Sequence, residues 1–266
     1  MWHSEGITIA YFGYLAAAAW LRPVARQRRL VLLALAIAAI VVIPALARFG
    51  YPMVRAWAPA AYILVGYYAS AYVFIAPSTA LEAWLMAWDW RLLGDPATRF
   101  ATWPRPLLAF LEIIYLGCFV LVGAGFLVLA LSGHAASADS FWTLVVAAEF
   151  GSFAPLAFIQ TRPPWALERK PVLADRRVHE LAVGMTDRFT IRVNTFPSGH
   201  VAGSLATAIA VGSVMPRTGA LFFVLAVCIA IATVVGRYHY IVDGIAGAAL
   251  ILLLWALVVS FGFAHV

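Results

Sequence analysis

Long apolar runs separated by short polar junctions make up most of the chain. Runs close to bilayer length fall at 7–21, 30–48, 56–76, 107–132, 140–160, 201–215, 219–236 and 240–262. Arg48, Gly50, Pro52 and Arg55 divide the second run from the third. The pattern predicts an all-α polytopic transmembrane bundle of about eight spans. Two N-terminal spans (1–55) precede a six-span core (56–266), and neither an internal repeat nor a low-complexity segment interrupts them.

Two segments depart from the pattern. Residues 78–106 mix Trp84, Trp88, Trp90 and Trp103 with Glu82, Asp89, Arg91 and Asp95. Tryptophan prefers the headgroup level, so this segment reads as an interfacial amphipathic helix followed by a loop. Anchoring is its simplest role; guiding a lipid headgroup toward a site is the alternative. The other segment, 161–199, is the longest polar loop, and it leads into "NTFPSGHVAGS", residues 194–204.

Composition supports the membrane assignment. Hydrophobic residues make up 64% of the chain and charged residues 11%. Soluble domains carry roughly a quarter charged residues, so a large soluble helical protein would lack the charged helix faces it needs. The net charge is +6, and 17 of the 18 basic residues are arginines placed in loops between apolar runs. That placement suits anionic lipid, not nucleic acid. Cys118 and Cys228 lie within apolar runs and read as small buried side chains, not as a disulfide or metal ligands. Met1 to Gly6 lacks the basic stretch that opens a cleavable signal peptide.

Alternating spans put the Arg22–Arg29 loop, 78–106, 161–199 and Arg237 on one face. Together they hold 15 of the 18 basic residues, against Arg48, Arg55 and Arg217 on the other. The positive-inside rule makes the first face cytoplasmic, in what we expect to be a bacterial plasma (inner) membrane.

Three chemically loaded pieces meet at that face: "TRPPWALE" after the fifth run, "FPSGH" at the end of the loop, and "GRYHYIVDGIAG" between the last two runs. Pro197 stops the chain from continuing as helix, Ser198 is a good N-cap, and Gly199 lets the backbone approach a ligand. The amides at the start of the following helix form an anion site, with His200 beside it to give or take a proton. His239 and Asp243, four apart, share a helix face. A carboxylate on one imidazole nitrogen fixes the tautomer and leaves the other nitrogen free to attack. Asp243 within a membrane run is a functional candidate by cost alone. Arg162 and Arg237 are the nearest cations, and the arginine fork suits bidentate phosphate binding. Gly244 and Gly247 read as close helix packing. Glu112 and Glu149 lie inside runs as polar candidates without an assigned role. A metal reading would use His200, His239 and Asp243, but no Cys or second carboxylate completes a typical set. The expectation is a phosphate site without a metal or other cofactor.

These pieces resemble the motifs of the type 2 phosphatidic acid phosphatase (PAP2) superfamily. That family includes lipid phosphatases, inositol phosphorylceramide synthase-like transferases and soluble vanadium haloperoxidases. Arg162-Pro163, Pro197-Ser198-Gly199-His200 and His239…Asp243 match in order, over roughly 56–262. The family's first-motif Lys would fall at Pro155, and its third-motif Ser-Arg at Ala232-Thr233, so Arg237 stands as the substitute cation. The resemblance implies His239 as nucleophile, Asp243 orienting it, and His200 as acid for the leaving alkoxide. Ser198, Gly199 and Arg162 would be phosphate ligands. It further implies a lipid phosphatase acting on a phospholipid or polyprenyl phosphate through a phosphohistidine. Many relatives work on the outer membrane face, opposite to the charge rule. The alternatives are phospho-headgroup transfer to a lipid alcohol, which the His239-Tyr240…Asp243 ending resembles, and a non-catalytic lipid-binding or transport protein.

Overall fold

The computed structural model describes residues 1–168, 190–191 and 193–260; most of the 161–199 loop lies outside the described residues. The helices are α1 (His3–Leu21), α2 (Arg26–Phe49), α3 (Pro52–Ser70), α4 (Thr79–Leu93), α5 (Pro96–Ala101), α6 (Arg105–Leu131), α7 (Ala138–Phe153), α8 (Gly199–Val214), α9 (Pro216–Val235) and α10 (Ile241–Ser260). The protein is an all-α polytopic bundle, with no strand among the described residues. Local chemistry sets the boundaries. Pro52, Pro96 and Pro216 open α3, α5 and α9, where a missing amide costs nothing. Ser78 and Asp95 cap α4 and α5 through Leu81 N and Thr98 N. Gly94, with φ 73°, ends α4 in a conformation that other residues adopt at a cost.

Five helical stretches have the length and composition to cross a membrane: α2, α6, Ala135–Ala157 around α7, α9 and α10. The three other expected spans coincide with α1 and α3, 19 residues each and more polar, and with α8, an apolar helix of 16 residues. All three pack within the bundle. The α8 helix runs through its centre, in contact with α6, α7, α9 and α10. Its inward residues are small (Ala202, Gly203, Ala206, Ala208 and Ala210), which lets neighbouring helices approach closely. The α1 helix is tied in by a Tyr11–Phe150 stack at 4.0 Å, by Tyr14 Oη donating to Ala154 O at 2.7 Å, and by the buried Glu5 carboxylate, which pairs with the partly exposed Arg55 at 2.7 Å. Exposed apolar side chains on α2, α9 and α10, such as Ile40, Phe223 and Leu252, form the lipid-facing surface.

The interfacial segment folds as α4 and α5. The α4 helix packs against the start of α10, so it reaches the same end of the bundle as the junction between α9 and α10. Its buried residues, Glu82, Leu85 and Asp89, form one stripe at helical spacing.

Candidate active site

The three sequence pieces converge at one end of the bundle through hydrogen bonds that only a folded chain can make. Asn194 N donates to Thr161 O at 2.9 Å, and Asn194 Nδ2 donates to Thr161 Oγ1 at 3.0 Å, joining the two ends of the 161–199 loop. Ser198 N donates to Asp243 O at 3.0 Å, tying the start of α8 to the start of α10. Gly247 makes this approach possible: a Cβ there would stand 2.7 Å from Ser198 O. Gly244 is less crowded, since its nearest neighbour would be Val201 Cγ2 at 3.9 Å.

Ser198 is the N-cap of α8, its Oγ accepting from Val201 N at 3.4 Å. Gly199 N donates to Thr195 Oγ1 at 3.4 Å. Among the described residues, His200 N is therefore the amide of this first turn left without a hydrogen bond. The free-donor cluster expected at the helix start is reduced to that group, because the turn bonds itself and α10 first.

The central geometry is a relay of three side chains. His239 Nδ1 lies 3.3 Å from Asp243 Oδ2, which also accepts from Tyr240 N at 2.9 Å. His239 Nε2 lies 3.0 Å from His200 Nδ1. With Asp243 accepting the Nδ1 proton, His239 Nε2 carries a lone pair and accepts from His200 Nδ1–H. His239 and Asp243 are 3% and 0% exposed. Burial lowers the His239 imidazole from its ordinary range to about 3, so the ring is neutral at physiological pH. His200 is wedged against Tyr115, 5.4 Å between ring centroids, and Phe119, at 6.0 Å. Tyr115 in turn stacks on Tyr238 at 3.7 Å.

The two arginines are both engaged by carboxylates of α4. Arg162 binds Glu82 bidentately, Nε to Oε1 at 2.9 Å and Nη2 to Oε2 at 2.8 Å, and its backbone N–H also donates to Oε1 at 2.9 Å. Arg237, 2% exposed, donates from Nη1 to Asp89 at 2.7 Å and from Nη2 to Glu168 at 2.7 Å. Arg237 adopts the left-handed conformation at φ 59°. Such a conformation is uncommon outside glycine, and the two carboxylates hold it there. Asp89 also accepts from Ile241 N at 2.9 Å, at the start of α10. Sequence reasoning treated α4 chiefly as an anchor. The sign it left unused was the 82–85–89 spacing, which puts two carboxylates on the buried face. Glu112 is buried on α6 near Tyr238, and Glu149 borders the site from α7.

A cavity of about 500 Å³ opens beside the two histidines. Leu64, Tyr67 and Tyr68 of α3 form one wall, and Tyr115, Phe119 and Val122 of α6 form another; Glu149 and Phe153 of α7, Ser204 of α8, and Trp165 and Val193 near the two loop ends also line it. Gly199, His200 and His239 face this space, whereas Ser198, Arg162, Arg237 and Asp243 stand behind its lining. The arrangement puts a neutral imidazole, oriented by a carboxylate and paired with a second imidazole, at the edge of an apolar and aromatic chamber. Such a group can attack an electrophile carried on an amphiphile.

Comparison with known proteins agrees with this geometry. The family model described as the PAP2 superfamily matches residues 83–257, from within α4 to near the end of α10, and so takes in all three convergent pieces. No curated protein and no solved structure matches the chain. With the match extending over well over half of its length, the chain belongs to the PAP2 superfamily.

Proposed function

We propose that the protein is an integral membrane phosphatase acting on a lipid phosphomonoester or pyrophosphate through a phosphohistidine. The observation that carries the reading is the relay Asp243–His239–His200, at 3.3 and 3.0 Å, ending at a largely apolar cavity. In the free protein His239 Nε2 is held by His200. A bound phosphate takes its place between the two rings, with the His200 amide as a donor to its oxygens. His239 Nε2 attacks phosphorus while the ester P–O bond breaks; His200, made an imidazolium by the proton that the phosphate monoanion brings in, gives that proton to the departing alkoxide. Asp243 stabilises the positive charge that develops on His239. Water then attacks the P–N bond, giving up its proton to His200, and phosphate leaves. A lipid alcohol in place of water would give phosphoryl transfer by the same second step.

Arg162 and Arg237 serve in this account as supports. Glu82 takes Nε and Nη2 of Arg162, and Asp89 and Glu168 take the Arg237 fork; through these contacts they hold the loop ends and the turn before His239. Metal-free chemistry follows from the residue types at the site, two histidines and one carboxylate arranged as a relay.

The test is turnover by the purified full chain in detergent. Phosphatidic acid and a polyprenyl phosphate are supplied with and without a long-chain alcohol, and free phosphate and phosphorylated alcohol are measured separately. Free phosphate should form, vanadate should inhibit competitively, and chelators should leave the rate unchanged. A dominant phosphorylated alcohol would make the protein a transferase. Neither product, with no vanadate binding, would leave the lipid-binding alternative.

A further inference from the structure

Two polar side chains in the cavity wall have no part in the chemistry above. Glu149 of α7 borders the cavity, and its carboxyl has no hydrogen-bond or ion-pair partner among the described residues. Ser204 of α8 lines the same space, 3% exposed, with no hydrogen bond from its hydroxyl to a described residue. The bundle makes room for the carboxyl. A Cβ at Gly199 would stand 3.3 Å from Glu149 Oε2, and one at Gly203 would collide with Oε1. The carboxyl therefore fills a notch that the two glycines leave on one face of α8, a turn apart.

Position along the helices decides what this pair can meet. Ser204 follows His200 by four residues, about 6 Å along the axis of α8, in the direction leading away from the site's end of the bundle. Glu149 precedes the last residue of α7 by four residues, at the matching depth. A carboxyl in a membrane bundle is costly and marks function by default, and an unpartnered one is costlier still. A phosphate anion is a poor partner for a carboxyl, whereas a hydroxyl suits the pair, since it can donate to the Glu149 carboxyl and accept from the Ser204 hydroxyl. With the phosphate at the histidines, a lipid runs its tail into the space between Leu64 and Val122. Its atoms about one turn deeper are those next to the phosphate ester. A polyprenyl phosphate has only hydrocarbon there and would leave Glu149 and Ser204 unsatisfied. A lysoglycerol or sphingoid backbone carries a hydroxyl at that level; a diacylglycerol carries an ester there.

We propose that Glu149 and Ser204 form a second, neutral subsite of the cavity that binds a hydroxyl group carried on the lipid next to its phosphate. This rests on the phosphoryl-transfer reading above and narrows it: the substrate is a hydroxyl-bearing lipid phosphate, selected over a polyprenyl phosphate. Glu149 is a specificity-determining residue, and the glycines at 199 and 203 keep its carboxyl in place.

The experiment compares 1-acyl lysophosphatidic acid, which has a free hydroxyl beside the phosphate, with farnesyl phosphate, which has none. The wild type should favour the former by about tenfold to a hundredfold in kcat/KM, the range of a hydrogen bond to a buried polar group. Glu149→Leu and Ser204→Ala should lose most of that preference while farnesyl phosphate turnover stays within about twofold, which also reports that they fold. Glu149→Gln should keep much of the preference. Equal wild-type turnover of the two lipids, or variants that slow both in proportion, would overturn the subsite. Thermal stabilisation by a monoacylglycerol over farnesol reads the subsite without catalysis. Stabilisation lost in Glu149→Leu supports it even if neither phosphate is turned over, an outcome that would sink only the phosphoryl-transfer reading. Absence of stabilisation in the wild type contradicts the subsite itself.

Discussion

Arg237 donates to Asp89 at 2.7 Å across a sequence separation of 148 residues, fastening the turn that carries His239 to the interfacial helix α4. Both side chains are buried, at 2% and 0% exposure. The same carboxylate receives Ile241 N at 2.9 Å, so one residue of α4 fixes both flanks of the segment 237–241. Breaking a buried pair from one side costs about 3–5 kcal/mol where the remaining charge is left without compensation; Glu168 still meets Arg237 here, which puts the cost toward the lower end. Asp89→Ala should therefore lower the thermal unfolding midpoint in detergent strongly. Asp89→Leu combined with Arg237→Met should cost less than the sum of the two single changes. An unchanged midpoint for Asp89→Ala would contradict the role given to α4.

The second tie of α4, Glu82 to Arg162, makes an acid-sensitive contribution. Hydrogen bonds from Arg162 hold the Glu82 carboxyl below its ordinary value of 4.5. A depressed carboxyl stabilises the folded state fully above the unfolded value, and the contribution is lost as pH falls through the folded one. The unfolding midpoint of the wild type should fall below pH 4.5 more steeply than that of Glu82→Gln, which lacks the titrating group. Parallel curves for the two proteins would remove the pair from the account. Arg162→Lys should also be damaging, since Lys cannot make the paired Nε and Nη2 contacts.

The fold class and the meeting of the three motifs were legible in the sequence for physical reasons. Apolar runs of bilayer length have few alternatives to helices, and the even spacing of crossings returned 162, 200 and 239 to one end. The His239–Asp243 contact, expected from a spacing of four on one helix face, does form, but His239 lies in the turn before α10, which begins at Ile241. What was not legible was the partner of each arginine. Arg162 and Arg237 had phosphate-ligand chemistry, and nothing local says that Glu82 and Asp89, some 80 and 148 residues away, reach them first. The Ser198 amide was lost to the anion site in the same way, since Asp243 O accepts it only once α10 packs against α8. The notch that admits Glu149 beside Gly199 and Gly203 depends on the packing of α7 on α8, which periodicity alone does not reveal.

For orientation in the membrane we propose a reading from charge. The face with the histidine pair carries most of the basic residues, which by the positive-inside rule would turn it toward the cytoplasm. A cysteine introduced at Ala101, exposed at the end of α5, in a chain with Cys118 and Cys228 replaced, should resist a membrane-impermeant thiol reagent in cells stripped of their outer membrane. It should react after permeabilisation. Labelling before permeabilisation would put the site on the outer face, as family precedent has it.

The proposed chemistry divides its labour between two imidazoles 3.0 Å apart. That division is read from the ratio of turnover on nitrophenyl phosphate to turnover on the lipid phosphate, measured for His200→Ala, His239→Ala and Asp243→Asn. General acid catalysis is worth about 10²–10⁴-fold on a poor leaving group and little on a good one. His200→Ala should therefore lose the lipid substrate but recover much of its rate on nitrophenyl phosphate. His239→Ala should be inactive on both, since without that ring no phosphoenzyme forms, and Asp243→Asn should behave as a weakened His239. Rescue of His239→Ala in place of His200→Ala would reverse the two roles, and full lipid turnover by either alanine variant would show that the pair is not the reacting centre.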